Sequence, residues 1–180
     1  GRRMRDLIPL AIVGAGPAGL EAAATAAEAG VEVLLVDAYG RPGGQYFKQL
    51  PGLFRMQDLT GHEREAEALM RRLESPRIRC LSGTLTWGVF PLEGGEGWEL
   101  ALYGPRDLPA GPPDSKHVTR VATKCLILAP GAYDRPIPFP GWTLPGVLTA
   151  GAVQTLIKSQ RVLPGRRFLL SGTGPLQLAV

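Results

Sequence analysis

A run of six residues, Gly14-Ala15-Gly16-Pro17-Ala18-Gly19, lies between an apolar stretch and an alanine-rich one, and it restricts the fold more than any other feature of the 180-residue chain. The apolar residues Leu10-Ala11-Ile12-Val13 precede it and read as a buried strand. The small residues from Pro17 to Ala29 follow and read as a helix, with Gly30 where a helix C-terminal glycine is expected. Val31-Glu32-Val33-Leu34-Leu35-Val36 then reads as a second strand, which ends in Asp37, eighteen residues after Gly19. Strand, glycine turn, helix, strand and terminal acid in this order form a dinucleotide-binding unit. Gly14 permits the sharp turn, Gly16 lets the backbone approach a pyrophosphate, and Gly19 lets the helix pack close to the strand. The helix N-terminus aims unpaired N–H groups and the positive end of the helix dipole at the anion. Asp37 is placed to accept hydrogen bonds from a ribose diol.

A GxGxxG spacing alone is weak evidence, because glycines are common in turns. Here the flanking strands, the helix and the acid agree with it. The adjacent loop Tyr39-Gly40-Arg41-Pro42-Gly43-Gly44-Gln45 has paired glycines that expose backbone amides, which suits ligand contact.

Downstream, Thr60-Gly61-His62-Glu63 reads as a capping box. It opens a helix to about Leu73, with Ala66, Leu69, Met70 and Leu73 on one face. Arg77 to Leu81 reads as a third strand. Thr84–Phe90, Trp98–Tyr103 and Val118–Leu128 read as an antiparallel meander whose last strand returns to the main sheet. Trp87 and Trp98 are expected to pack. The last strand ends in Ala129-Pro130-Gly131, at the carboxyl end of a parallel strand, where ligands bind in open α/β sheets. Arg135-Pro136-Ile137-Pro138-Phe139-Pro140 is a stiff extended connector. Thr149 caps a helix to about Gln160, and Arg167 to Pro175 begins a second strand–glycine–helix unit with Gly172 and Gly174. The chain stops about two turns into that helix and reads as a piece of a longer protein.

Other function classes find little support. The net charge is +4, but the basic residues are scattered and form no nucleic-acid footprint. No apolar run approaches the roughly 20 residues of a membrane span. The N-terminal arginines ahead of an apolar run resemble a signal peptide only until the glycine turn, so a cytoplasmic location is expected. Cys80 and Cys125 form neither a CxxC pair nor a metal cluster and are expected to be small buried hydrophobes. His62 and His117 are isolated. No metal site is expected, and no residue is singled out as catalytic.

Several features together resemble the two-dinucleotide-binding-domain flavoproteins: two dinucleotide motifs, Gly43-Gly44-Gln45 after the acid, and a meander before a strand ending Ala129-Pro130-Gly131. Arg41-Pro42-Gly43-Gly44-Gln45-Tyr46, Thr86-Trp87-Gly88-Val89-Phe90-Pro91 and Pro140-Gly141-Trp142-Thr143-Leu144-Pro145-Gly146-Val147, continuing through Gly151 and Gln154, narrow the resemblance. It is to the large subunits of opine oxidase, hydrogen cyanide synthase and related amino-acid or sarcosine dehydrogenases, and it runs from about Leu7 to Val180. It implies an α/β, Rossmann-like FAD-binding domain over 6–140, its C-terminal return strand missing, and over 141–180 a connector with the truncated start of an NAD(P)-type domain around Gly172 and Gly174.

In that resemblance Gly14, Ala15, Gly16, Pro17, Ala18 and Gly19 sit at the FAD pyrophosphate. Asp37, with Ala38 beside it, binds the adenosine ribose, where the family more often has glutamate. Arg41, Gly44 and Gln45 lie along the cofactor, Thr86 offers backbone contacts near the adenine, and Ala129 and Gly131 close over the pyrophosphate or flavin side. Pro130 departs from the family's Ala-Thr-Gly by removing a hydroxyl and a backbone donor. The implied function is an FAD-dependent oxidoreductase subunit that oxidises a C–N bond of an amino acid, opine or other secondary amine, or relays its electrons. A second flavoprotein subunit is the implied partner. An NAD(P)H-dependent reductase of the thioredoxin-reductase type and a non-catalytic nucleotide-binding assembly module remain as alternatives.

Overall fold

The structure is a computed structural model that describes residues 7–47, 61–104 and 117–173. The described residues divide into two compact units between Gly131 and Ala132. The first is Rossmann-like. It holds β1 (Ile8–Val13), α1 (Pro17–Glu28), β2 (Val33–Val36), α2 (Gly61–Arg72), β3 (Ile78–Leu81), β4 (Leu85–Pro91), β5 (Trp98–Gly104) and β6 (His117–Leu128). Their strand order is β3-β2-β1-β6-β5-β4.

β1 runs parallel to both β2 and β6, and β2 runs parallel to β3. A parallel sheet covered on both faces is built from continuous apolar strands rather than alternating ones. β2 follows that rule, with all four residues buried. On one face Leu10, Ile12, Val33 and Leu35 pack against Leu20, Ala23 and Ala24 of α1 and Leu69 of α2, with Ala66, Met70 and Leu73 partly buried beside them. The alanines of α1 let the helix lie close to the sheet. On the other face Ala11, Leu34 and Val36 pack against Leu100 and Leu102 of β5.

The meander reaches that second face because β6 is twelve residues long and serves two neighbours. Its first half pairs antiparallel with β5, and its second half pairs parallel with β1. Thr123 stands at the change of partner, opposite both Ile8 and Trp98. It is fully buried, and its hydroxyl lies 2.9 Å from the Ile8 carbonyl and 2.8 Å from the Cys125 carbonyl, so one proton serves two acceptors.

The second unit contains α3 (Ala150–Gln160) behind a connector without strands. Thr149 Oγ1 accepts from the Ala152 amide at 3.3 Å. Asp134 Oδ2 accepts from the Gly151 amide at 2.8 Å, so two first-turn donors are satisfied. The proline-rich Arg135–Pro140 stretch therefore groups with this unit.

Three sequence expectations change. Cys80 and Cys125 are exposed, not buried. Cys80 lies on edge strand β3, and Cys125 lies on β6 outside the α1–α2 cluster. Trp87 and Trp98 are exposed, although the Trp87 ring meets Phe90 edge-on with centroids 6.4 Å apart. No strand forms over 167–171, and Leu169 is 95% exposed. An apolar run becomes a strand only when a neighbour pairs with it, and none of the described residues does. Thr60 of the expected capping box and Gly174 lie outside the described residues. No described helix is long and apolar enough to cross a membrane.

Two measurements check this packing. Leu20 is fully buried on the sheet-facing side of α1, so Leu20→Ala should lower unfolding free energy by about 2–5 kcal/mol in urea titration. Arg72 joins α2 to α1 by donating from Nη1 to Glu21 at 2.7 Å and from Nε to Glu28 at 2.7 Å. The Arg72 hydrogen bond holds the Glu28 carboxyl below its ordinary value. A depressed carboxylate pKa contributes stability above the unfolded-state pKa, and that contribution is lost as pH falls through the folded-state value. The melting temperature of Arg72→Met should therefore lie below wild type at neutral pH, and the gap should close as Glu28 protonates in acid.

Candidate functional site

The carboxyl ends of β1, β2 and β6 meet at the glycine turn. The Gly14 amide donates to the Val36 carbonyl at 2.8 Å, and the Ala129 amide donates to the Val13 carbonyl at 2.8 Å. Gly14 has a φ of +100°, and a Cβ built there would fall 2.1 Å from the Ala129 carbonyl oxygen. Only glycine meets both demands. A Cβ on Gly19 would fall 1.8 Å from the Gly14 carbonyl oxygen, so α1 begins directly against the end of β1.

Gly16 differs from both. Its backbone is extended, at φ −78° and ψ −178°. A Cβ there would meet nothing nearer than Gly44 Cα at 3.9 Å. Protein packing therefore does not require glycine at this position. The Ala18 and Gly19 amides that follow have no acceptor within the helix, Pro17 carries no amide hydrogen, and Ala18 is exposed. The result is room beside the Gly16 backbone, next to helix amides without an intrahelical acceptor, at the positive end of a helix.

The loop after β2 forms the second wall. The Gly43 amide donates to the Ala15 carbonyl at 2.7 Å, and the Phe47 amide donates to the Gly43 carbonyl at 3.0 Å. A Cβ on Gly44 would fall 2.8 Å from Gly16 Cα, so the two backbones touch. Gly44 is half-buried, whereas Gln45, Arg41 and Ala38 are exposed along the same loop.

Asp37 is buried, with 6% of its surface exposed. Its Oδ2 accepts from the Ala15 amide and its Oδ1 from the Tyr39 amide at 2.7 Å. The Asp37 amide donates to Leu81, and its carbonyl accepts from Thr84 at 2.8 Å. That last bond, with the Gly83 amide donating to Tyr39 at 2.8 Å, ties the start of β4 to the end of β2 and carries Thr86 toward it. The Thr86 and Thr119 hydroxyls are buried without a hydrogen-bond partner. They lie in one row across the meander, each opposite Leu102.

Gly14 through Gly19, Asp37, Gly44 and Ala129 thus converge through close backbone contacts and hydrogen bonds, while Gly131 is exposed and a Cβ there would meet no atom within 4 Å. Sequence reasoning missed Gly43, Tyr39 and Thr84 as organising residues. For Gly43 a signal existed: a Cβ would fall 2.3 Å from the Phe47 carbonyl oxygen, which explains why the glycine is doubled. Among the described residues no group of three acids, cysteines or histidines could hold a metal ion.

Comparison with known proteins agrees with this geometry. The family model described as FAD dependent oxidoreductase matches residues 9–107. The A subunit of opine oxidase from Rhizobium meliloti is 36% identical over 165 residues, covering 92% of this chain and 33% of that protein. The HcnB subunit of hydrogen cyanide synthase from Pseudomonas protegens is 35% identical over 166 residues, again 92% of this chain and 33% of the relative. L-proline dehydrogenase from P. horikoshii superposes with a TM-score of 0.67 at 25% identity, over 89% of this chain and 30% of that one. The chain spans 33% of the length of both curated relatives.

The glycines separate by substitution. Gly19→Ala forces α1 away from the Gly14 carbonyl and should cost about 1–3 kcal/mol of stability. Gly16→Ala should cost about 1 kcal/mol or less, since only the helix cap changes. Denaturant unfolding of the two variants checks the order, and equal losses would contradict it.

Proposed function

The chain belongs to the FAD-dependent oxidoreductase family, and from that premise we propose that it forms the cofactor-holding part of an amine-oxidising subunit. The substrate class is an amino acid, opine or other secondary amine, either oxidised at its C–N bond in the same subunit or feeding electrons to it. The observation that carries the reading is the open backbone at Gly16 beside the unpaired amides of α1. In this proposal Gly14, Ala15, Gly16, Pro17, Ala18 and Gly19 form the floor beneath the FAD pyrophosphate. Gly44, Gln45 and Arg41 form the second wall, and Asp37 and Ala38 stand at the end of β2. Thr86 lies on the adenine side, and Ala129 and Gly131 close the opposite side.

FAD, when bound, supplies the two-electron acceptor chemistry. This chain's residues bind and orient it. The backbone amides donate hydrogen bonds to the phosphate oxygens without side-chain ordering, and the apolar sheet behind them keeps water from the back of the turn. The named relatives are subunits, which supports a partner subunit; the partner proposed is a second flavoprotein. Gly172 and Gly174 are the proposed place for NAD(P), with residues 6–140 as the FAD domain and 141–180 as the connector and start of the next. A cytoplasmic location completes the proposal. A dithiol reductase gains nothing from the structure: Cys80 on β3 and Cys125 on β6 are separated by β2 and β1.

The test uses the full-length protein. Its absorption spectrum should show bound FAD, and Gly16→Ala should weaken FAD binding about tenfold or more, equivalent to about 1.4 kcal/mol. With the partner flavoprotein present, an amine such as sarcosine, proline or an opine should bleach the flavin absorbance. Bleaching by NADPH alone, with none of these amines active, would overturn the amine reading.

A further inference from the structure

We propose that Thr84 and Gly104 are positioning residues: the threonine side chain, packed against a bare Cα, fixes where β4 begins and so sets the width of the adenine end of the FAD cradle. The inference rests on the FAD reading above and adds to it the contact that holds the wall carrying Thr86.

One step beyond the Leu85–Tyr103 pair, the antiparallel register brings Thr84 opposite Gly104. A Cβ on Gly104 would fall 2.6 Å from Thr84 Oγ1 and 3.1 Å from both Thr84 Cβ and Thr84 Cγ2. Opposed Cβ atoms in an ordinary antiparallel pair stand about 4.5–5.5 Å apart. The two strands thus meet more closely here than two opposed side chains allow, and only glycine fits. Rotation of Thr84 gives no relief, because χ1 moves Oγ1 and Cγ2 but leaves Cβ in place. The residue is 2% exposed, so its side chain has no room to withdraw. Its hydroxyl donates to the Ser82 carbonyl at 3.4 Å.

The other side of Thr84 is held by main chain. Its amide donates to the Asp37 carbonyl at 2.8 Å, and the Gly83 amide donates to the Tyr39 carbonyl at 2.8 Å. The start of β4 is therefore wedged between the end of β2 and the end of β5. Thr86 follows two residues later. The register breaks between Thr86 and Gly88, so Thr86 takes its position from the Thr84 end of the strand. Its hydroxyl is buried without a hydrogen-bond partner, so what it offers a ligand is main chain. A wall of main chain cannot be adjusted by a rotamer, and its place is the place of the strand. The Thr84–Gly104 spacing consequently governs the adenine end without either residue having to touch the base.

The test compares binding of FAD, and of an analogue lacking only the adenine base, to the full-length protein freed of cofactor. Wild type should prefer FAD by about tenfold or more. Gly104→Ala, which drives the strands apart, should cut that preference to about twofold or less while leaving affinity for the analogue within about twofold of wild type. Adding Thr84→Gly, which removes the opposing side chain, should restore the preference to within about threefold of wild type. If Gly104→Ala does not fold, Thr84→Gly alone serves, and loss of the wedge should lower the preference at least about threefold. A variant that weakens both compounds equally has lost stability and nothing more, which would overturn the proposal. So would a preference that the second substitution fails to restore, or a wild type that binds the two compounds alike. Binding of neither compound refutes the FAD reading itself, and the proposal falls with it.

Discussion

The closeness of α1 to the end of β1 governs everything around it. A side chain at Gly19 would overlap the Gly14 carbonyl oxygen at 1.8 Å, so the helix starts where the strand stops. From that contact the unpaired amides of the first turn are carried to the carboxyl edge of the parallel sheet. β6 closes the other side, because the Ala129 carbonyl sits where a Gly14 side chain would be. Protein atoms thus compress Gly14 and Gly19 from behind while Gly16 remains open in front. The three glycines of one motif serve two different physical needs.

The two faces of the sheet support this edge in different ways. Alanine-rich α1 and the Leu69 side of α2 cover one face, and the meander covers the other through Leu100 and Leu102. The double pairing of β6 makes both possible, since a strand that changes partner at Thr123 delivers antiparallel strands to the back of a parallel sheet. The Arg72 bonds to Glu21 and Glu28 tie the two helices at the surface. They are exposed and add less than the apolar layer beneath them.

Much of the first unit was legible because its determinants are local. The spacing of Gly14 and Gly19 reports steric limits set by the turn and helix start themselves. The Ala66, Leu69, Met70 and Leu73 periodicity identified the buried face of α2, and Thr149 marked the start of α3. What stayed hidden depends on partners distant in sequence. The Ala15 and Tyr39 amides reach Asp37 only after the turn and loop have folded around it. Apolar neighbours around Cys80 and Cys125 indicate strands but not which face is covered. The run at Arg167–Ser171 has strand composition, yet composition supplies no pairing neighbour.

The central claim is that backbone donors of the first turn hold a pyrophosphate. The most direct measurement is amide chemical-shift mapping of the full-length protein during titration with FAD. The expected result is saturable downfield shifts concentrated at Gly16, Ala18 and Gly19, with smaller ones at Gly44. Saturation with those amides unmoved, and with shifts gathered elsewhere on the surface, would contradict it.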